Sequence, residues 1–294
     1  MDLTVEQQRS RNIFLREHGL DFTVSKRKSM FHDAGDSVET PFFCTVNDKT
    51  KQALGAVKSK YVVKQNADLL DIILHKIGDG NYDLFNSKGG TFNNGKKVYF
   101  FIKHKTTSDW GQEHAENYIY ALSSHDGSQR LVFGVANKIH SCSNMFGMLM
   151  NDSENKHMIK HTKRIDDLQY DNTLDALIQN NFKGISYLMR KMQEVSIQDK
   201  IKDKVFDIVA NSKAQRLSAK YHKDRDLLSQ CVMDELGTKG DTLYGLFNGV
   251  TNFYTHHAFE DDKLISNITG SGNKKITTVV KALVNDMKER GCLN

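Results

Sequence analysis

The sequence NNGKKVYFFIKHK at residues 93–105 decides the fold. Asn93-Asn94-Gly95 is a strong turn signal, because asparagine and glycine accept the positive φ angles of tight turns. The residues that follow predict a β-strand, in which side chains alternate between two faces. One face is apolar and suits a protein core: Val98, Phe100 and Ile102. The other face is both basic and aromatic and consists of Lys97, Tyr99, Phe101, Lys103 and Lys105.

The basic and aromatic face points to nucleic acid. Lysines bind phosphates, and aromatic rings stack on the bases of a single strand. An exposed strand whose lysines block edge-to-edge pairing and keep the protein soluble has the same pattern. Spacing alone leaves both interpretations open.

Further strands are predicted around this one. Residues 117–122 are rich in β-formers and residues 129–140 alternate in polarity, while Gly89-Gly90 and residues 123–128 are predicted turns. If the strand at 129–140 pairs with the strand that starts at Lys96, its polar side extends the positive surface. The residues on that side are Arg130, Lys138 and His140.

Composition narrows the class of protein. The chain has 294 residues, 26% of them charged, and a net charge of +5, which is typical of a globular protein and compatible with an anionic partner. No apolar run approaches the roughly 20 residues that cross a bilayer, and the N-terminus lacks a signal-peptide pattern. We therefore expect no membrane contact and a cytoplasmic location, in the cytoplasm of the host cell if the chain is phage-encoded.

The segments before the hairpin are predicted to start with a short helix at residues 4–17. An irregular or partly stranded stretch follows at residues 21–45, in which Lys26-Arg27-Lys28 is predicted to be a solvated loop. Asn66 is the predicted N-cap of an apolar helix that ends at Gly78. The arm at residues 1–60 is also a segment that a neighbouring subunit can grip.

The densest basic segment, residues 156–164, contributes four candidate phosphate ligands: Lys160, His161, Lys163 and Arg164. His157 and His161 share a face if this segment is helical, but a zinc site needs at least one further ligand. Residues 137–144 include Asn137 and a serine that can start a helix, whose free N–H groups hold phosphate. An ordinary helix cap and a solvated basic face explain the same residues.

The C-terminal half is predicted to be helical, because apolar residues recur every three or four positions from 168 to 237. A further helical stripe is more typical of a core than of a binding site: Tyr244, Phe247, Val250 and Tyr254. The predicted fold class is therefore α+β, with a helix and an antiparallel β-sheet (hairpin or meander) packed on helices, then a mainly helical C-terminal half. We divide the chain into an N-terminal arm (1–60), an α+β core with the basic sheet (61–165) and a helical region packed on the core (166–294).

Sequence motifs that carry catalysis are missing. The chain has no nucleophile elbow, dinucleotide fingerprint, Walker spacing or zinc set. The four cysteines are far apart, which argues against a zinc finger. We therefore expect no metal and no cofactor, and we favour a binding protein over an enzyme. The alternative is a metal-dependent nuclease or nucleic-acid-modifying enzyme that uses His125, Asp126, His140, His157 or His161.

Six motifs occur in a characteristic order, at residues 61–66, 95–101, 123–127, 137–144, 159–162 and 242–257. Together they resemble a phage- and plasmid-encoded family, the domain of unknown function that carries the number 932. Lys138 and Tyr244 depart from the pattern, since the family tends to have arginine and tryptophan near these positions. The order of helix, hairpin, further strands and helix is also similar to the core of phage single-strand annealing proteins. Those resemble the eukaryotic annealing recombinase and assemble as rings or helical filaments on DNA, an analogy of fold.

The resemblance implies a single-stranded DNA-binding and annealing protein of phage or mobile-element recombination. Its partners would be single-stranded DNA and further copies of itself in a ring or filament. A phage structural or host-interaction protein that binds no nucleic acid is a further alternative. The candidate nucleic-acid-binding residues are Lys96, Lys97, Tyr99, Phe101, Lys103, Lys105, Arg130, Asn137, Lys138, His140, Lys160, His161, Lys163 and Arg164.

Overall fold

The computed structural model describes residues 4–33, 36–78, 80–139, 145–146, 156–163, 172–210, 219–257 and 271–293. Within these ranges the chain is α+β, which confirms the predicted fold class. The helices are α1 (Val5–Glu17), α2 (Asn66–Ile77), α3 (Asn172–Glu194), α4 (Asp199–Ala210), α5 (Ala219–Lys239), α6 (Leu243–His256) and α7 (Ser271–Glu289). The strands are β1 (Val24–Asp33), β2 (Asp36–Asn47), β3 (Ala53–Val57), β4 (Tyr82–Phe92), β5 (Lys97–Asp109), β6 (His114–Ser124), β7 (Leu131–Ile139), β8 (Met145–Phe146) and β9 (Lys156–Ile159).

The strands form two sheets. One has three strands in the order β1-β2-β3, and the other has six strands in the order β4-β5-β6-β7, with β8 and β9 both paired to β7. The antiparallel β4–β5 pair is closed by the predicted turn, in which Asn93, Asn94 and Gly95 have φ angles of 49°, 57° and 86°. The hairpin predicted from the sequence is therefore confirmed.

Gly89 and Gly90 do not form the predicted turn, because both lie inside β4. A Cβ atom at Gly89 would lie 2.9 Å from Leu20 Cδ1, and a Cβ atom at Gly90 would lie 2.7 Å from the hydroxyl of Tyr99. Glycine inside a strand is typical of a place where another group approaches the backbone closely. Close packing, and not a change of chain direction, accounts for these two glycines.

The N-terminal residues are more regular than the sequence predicts. α1 matches the predicted helix, and a capping box between Thr4 and Gln7 starts it. β1 and β2 form most of the stretch predicted to be irregular or partly stranded, so Lys26-Arg27-Lys28 lies in a strand and not in the predicted loop. The register of this pair shifts after Lys28, opposite a segment that contains Pro41. A bulge is a place where a sheet tolerates proline, which has no N–H to donate.

The described residues fall into two compact units. The first comprises those within Met1–Thr106, Asn117–Val135 and Lys156–Gln179, and the second those within Thr107–Glu116, Ala136–Asn155 and Asn180–Asn294. In the first unit, α1 packs on α2 and on β4. In the second, α5 packs on α6 and α4 packs on α7, around a core that includes Trp110 and the predicted stripe on α6. No helix in the described part of the chain is long and apolar enough to span a bilayer.

Candidate nucleic-acid interface

The register of the β4–β5 hairpin shows which residues of β4 share a side of the sheet with the predicted basic and aromatic face of β5, the side opposite Phe100. Phe92 lies opposite Lys97, Gly90 opposite Tyr99 and Lys88 opposite Phe101. Directly opposite residues of an antiparallel pair project to the same side of the sheet. The basic and aromatic face predicted for β5 therefore continues on β4, and we call it the hairpin face: Lys88, Phe92, Lys97, Tyr99, Phe101 and Lys103.

A row of aromatic rings crosses the hairpin face. The ring centroids of Phe92 and Tyr99 are 5.1 Å apart, those of Tyr99 and Phe101 are 6.0 Å apart, and those of Phe101 and Tyr120 on β6 are 5.8 Å apart. These distances are typical of stacked and tilted aromatic pairs. Phe92 and Tyr99 are half-buried, whereas Phe101 and Tyr120 are buried, so the row runs from the surface into the interior.

The prediction that Phe101 stacks on a base is therefore wrong, because its side chain is buried, with an exposed fraction of 0%. At this position the side of β5 that alternation predicts to be exposed is covered by other residues. Two other predicted contact residues are also buried, namely Asn137 on β7 and His161 after β9. The rings that remain accessible on the hairpin face are Phe92 and Tyr99, of which the sequence indicated only Tyr99.

The predicted lysines of β5 do reach the surface. Lys105 is exposed, and Lys96, Lys97 and Lys103 are half-buried. Lys103 lies opposite Asp83. Hydrogen bonds from Asn86 lower the pKa of the Asp83 carboxyl against an opposing effect of desolvation, and the charge of Lys103 lowers this pKa further. The negative charge beside Lys103 is thus held firmly, and the net positive charge of the face rests mainly on the other lysines.

Sequence reasoning missed Lys88, an exposed residue of the hairpin face. The signal for it was present in the turn. Once Phe92 is paired with Lys97, counting four residues outward along each strand places Lys88 opposite Phe101. Phe92 could have been placed in the same way, as the residue that directly precedes the turn.

Among the described residues, the predicted residues at and near β7 do not lie beside this face. β6 lies between β5 and β7, so β7 is two strands from β5, roughly 10 Å away. The condition for an extended basic strand, direct pairing of these two strands, is not met, and Arg130 and Lys138 do not extend the basic strand as neighbours. Lys160 and Lys163 are exposed after β9. His140 and Arg164 lie outside the described residues.

The two histidines of the basic segment, His157 and His161, do not lie on a helix, because the segment begins with the strand β9. His157 lies in this strand, opposite Phe133, and His161 follows the strand in a turn. They do not share a helical face. Among the residues that the structure describes, no group of three His, Cys, Asp or Glu side chains is placed to hold a metal ion.

A second feature of the same unit is a buried polar cluster built from three of the motifs. Tyr61 donates its hydroxyl hydrogen to Ser124 O at 2.6 Å and stacks on the His161 ring at 4.8 Å between centroids. His161 Nε2 lies 3.0 Å from Gln129 O, and the main-chain N–H of Val62 donates to His161 O at 2.7 Å. The motifs at 61–66, 123–127 and 159–162 therefore meet in one place.

Asn66 connects this cluster to the N-terminal residues. It is the first residue of α2 and not its cap, since Gln65 occupies the N-cap position. The Asn66 amide donates to Leu20 O at 3.0 Å, and its Oδ1 lies 3.0 Å from Nε2 of the buried His125. Because Oδ1 accepts only, Nε2 of His125 carries the proton. The neutral tautomer of His125 therefore holds α2 against the loop after β6.

Both buried histidines keep a second ring nitrogen without a hydrogen-bond partner, His125 Nδ1 and His161 Nδ1. Protonation would place an unpaired N–H and a charge in the interior, which is costly. Burial, assisted by the charge of His161, lowers the pKa of His125 to about 4. Burial, assisted by the charge of Lys64, also lowers the pKa of His161. Both rings are therefore neutral at pH 7.

We expect the protein to lose stability in mild acid. Unfolded histidine binds its proton with a pKa near 6.5, whereas folded His125 does so only near 4. The stability that the neutral His125 ring gives the folded state is complete above about pH 6.5 and is lost as the pH falls toward 4, because over this range the unfolded chain binds a proton that the folded chain does not. In urea unfolding, the free energy of unfolding should be about 2 kcal/mol lower at pH 5 than at pH 7 through His125 alone.

The matched variants for this test are His125→Gln and His75→Gln. Glutamine keeps an N–H that can reach Asn66 but cannot be protonated, so His125→Gln should flatten the pH dependence. His75 lies exposed on α2, and His75→Gln should keep the wild-type dependence. An unchanged pH dependence in His125→Gln would show that His125 does not carry the effect.

The comparison with protein families confirms the family that the motifs resemble. The family described as a domain of unknown function (DUF932) matches residues 53–283. No curated protein and no solved structure matches the chain. The matched range contains both the β4–β5 hairpin and the buried polar cluster. Because this match covers well over half of the chain, the protein belongs to the DUF932 family.

Proposed function

We propose that the hairpin face binds single-stranded DNA and that the protein promotes annealing of complementary strands. The observation that carries the proposal is the half-buried Phe92–Tyr99 pair, whose ring centroids are 5.1 Å apart. On the same side of the sheet, Lys97 lies opposite Phe92 and Lys88 lies opposite Phe101. Rings that are half-buried are held in place by packing, so little conformational entropy is lost when a base stacks on them.

The arrangement favours a single strand over a duplex. An aromatic ring can stack only on a base whose face is free, whereas the bases of a duplex are stacked on one another. The lysines on one face of β5, at positions 97, 103 and 105, suit a flexible phosphate backbone that follows the strand. Annealing would need no nucleotide hydrolysis, and copies of the chain would assemble along one strand to present its bases for pairing.

The test is a lysine-to-alanine triple variant, Lys88→Ala with Lys97→Ala and Lys103→Ala. Each phosphate contact to a single strand contributes about 0.7 to the slope of log K against log salt, so three lost contacts should reduce the slope by about 2. Fluorescence anisotropy of a labelled dT oligonucleotide at several salt concentrations measures this slope. Particle size in the same samples reports assembly.

The matched control removes the same charge from exposed positions on the helices: Lys183→Ala, Lys223→Ala and Lys288→Ala. We expect this control to bind with the wild-type slope. Equal slopes in both triple variants would refute the assignment of the hairpin face. Absence of wild-type binding at low salt would refute the function itself.

The alternative of a nuclease receives less support from the geometry. His125 and His161 are buried, and each uses its Nε2 in a hydrogen bond within the fold. A general base must lie within hydrogen-bond reach of its substrate, which these positions do not offer. Incubation of labelled DNA with magnesium or manganese tests the alternative directly.

A further inference from the structure

A bulge interrupts the edge strand β4 beside the hairpin face. Asp83 pairs with Lys103 and Lys88 pairs with Phe101, so four residues of β4, Leu84 to Ser87, stand opposite the single residue Ile102 of β5. Bulges of this kind are over-represented at sheet edges and next to functional sites, where they redirect a side chain. The side chain that this bulge redirects is Phe85.

Hydrogen bonds fix the bulge in one conformation. Asn86 donates its main-chain N–H to Asp83 Oδ1 at 3.2 Å and its side-chain amide to Asp83 Oδ2 at 2.7 Å. Ser87 Oγ donates to Asp83 O at 2.6 Å and accepts from the main-chain N–H of Lys103 at 2.8 Å. Polar groups on both strands are therefore used to hold these residues in place.

This ordered bulge presents Phe85 almost entirely to solvent, with an exposed fraction of 95%. An exposed ring forgoes the favourable transfer from water that burial of phenylalanine supplies. An apolar ring on an edge strand also invites aggregation, which proteins usually avoid at such positions. The cost of holding the ring outward is explained if a ligand covers it.

The charges around the bulge identify the class of ligand. Three lysines lie on the strand segments that flank it, namely Lys88 on β4 and Lys103 and Lys105 on β5. The carboxylate of Asp83, which Asn86 and Lys103 keep ionised, balances Lys103, so the excess positive charge on these segments rests on Lys88 and Lys105. An exposed aromatic ring on a strand segment flanked by lysines is complementary to an unpaired base with its phosphates.

We infer that Phe85 stacks on one base of a bound single strand, a contact that the buried Phe101 cannot make. This inference rests on the proposed function of the hairpin face. It extends the contact surface from the Phe92–Tyr99 pair at the turn end of the hairpin to the bulge near the other end of β4. Lys88 lies between the two along the strand.

The first measurement uses Phe85→Ala. Loss of one base–aromatic stack should weaken binding of a dT oligonucleotide about 5- to 100-fold without changing the salt slope, because no charge is removed. The matched control is Tyr187→Ala, which removes an exposed ring from α3 and should leave affinity unchanged.

The second measurement uses Phe85→Trp. The native chain has a single tryptophan, Trp110, which is buried, so the new indole at position 85 is the solvent-exposed emitter. Stacking on a base should quench its emission as the dT oligonucleotide is added, and the same titration of the wild-type protein supplies the Trp110 background.

The outcomes separate this inference from the function on which it rests. Wild-type affinity of Phe85→Ala, or unquenched emission at position 85, together with a reduced salt slope in the lysine variant, would overturn the inference alone. If the wild-type protein binds no single strand at low salt, the proposed function fails and the inference fails with it. Weaker binding at an unchanged slope, with quenching, supports both.

Discussion

Replacement of Glu113 by alanine is expected to lower the free energy of unfolding by about 3 kcal/mol, because it leaves the mostly desolvated ammonium of Lys239 without its counter-ion. The Glu113 carboxylate accepts hydrogen bonds from Lys239 Nζ and from the hydroxyl of Tyr244. The exposed fractions of the Glu113 and Lys239 side chains are 9% and 15%. These three residues join the segment before β6, the end of α5 and the start of α6 within the second unit.

Urea unfolding at pH 7 measures this effect, and Glu194→Ala is its matched control. Glu194 pairs with Lys191 at 2.6 Å, but the side chains are 60% and 31% exposed. Solvent screens such a pair, so we expect only a small change in stability. If the two alanine variants are equally stable, the buried pair contributes no more than a surface pair, and the argument from desolvation is wrong. Glu113→Gln should fall between them, since it can still accept from Tyr244.

The parts of the fold that follow from local signals could be predicted from the sequence. The turn at Asn93-Asn94-Gly95 requires positive φ angles, and these residue types accept them wherever they occur in a chain. The capped start of α1 and the end of α2 at Gly78 are also set by nearby residues. The hairpin, and with it the lysines of the candidate interface, therefore follows from residue types that are close together in the chain.

Other features depend on contacts that alternation cannot encode. β5 has a polar pattern on one face, yet Phe101 is buried because Tyr120 stacks on it from β6. Gly89-Gly90 has the composition of a turn but serves close approach by Leu20 and Tyr99. A residue type that satisfies two physical requirements cannot show which of them applies, and only tertiary structure separates the two.

The buried polar cluster is the clearest case of a site that sequence reasoning could not assemble. In the sequence, His125 stands out only as a candidate catalytic group, His161 as a candidate phosphate ligand, metal ligand or catalytic group, and Asn66 only as a helix cap. Their spacing in the chain gives no sign that they meet, because long loops close at little extra entropic cost. In this structure Asn66 ties α2 to Leu20 and to His125 through hydrogen bonds. His161 contacts Gln129 and Tyr61.

The row of aromatic rings from Phe92 to Tyr120 ends at Gly134, and the packing of Tyr120 requires that this residue have no side chain. Tyr120 lies over Gly134 of β7, and a Cβ atom at Gly134 would be 2.0 Å from the Tyr120 hydroxyl oxygen and 2.2 Å from the ring carbon that bears it. The end of a flexible side chain usually moves aside at low cost. Tyr120 cannot, because it is fully buried and its ring packs on Phe101.

We therefore expect Gly134→Ala to destabilise the protein by about 3 kcal/mol, as overpacking of a close-packed core does. Gly184→Ala is the control: a Cβ atom on this glycine of α3 meets nothing within 4 Å, so alanine should stabilise by about 0.5 to 1 kcal/mol through helix propensity. Urea unfolding of both variants, and of Gly134→Ala combined with Tyr120→Leu, measures the coupling. The penalty at Gly134 should shrink when leucine replaces the tyrosine ring, since the two sites are in contact. A penalty that stays the same in the leucine background would show that Tyr120 is not what requires glycine at this position.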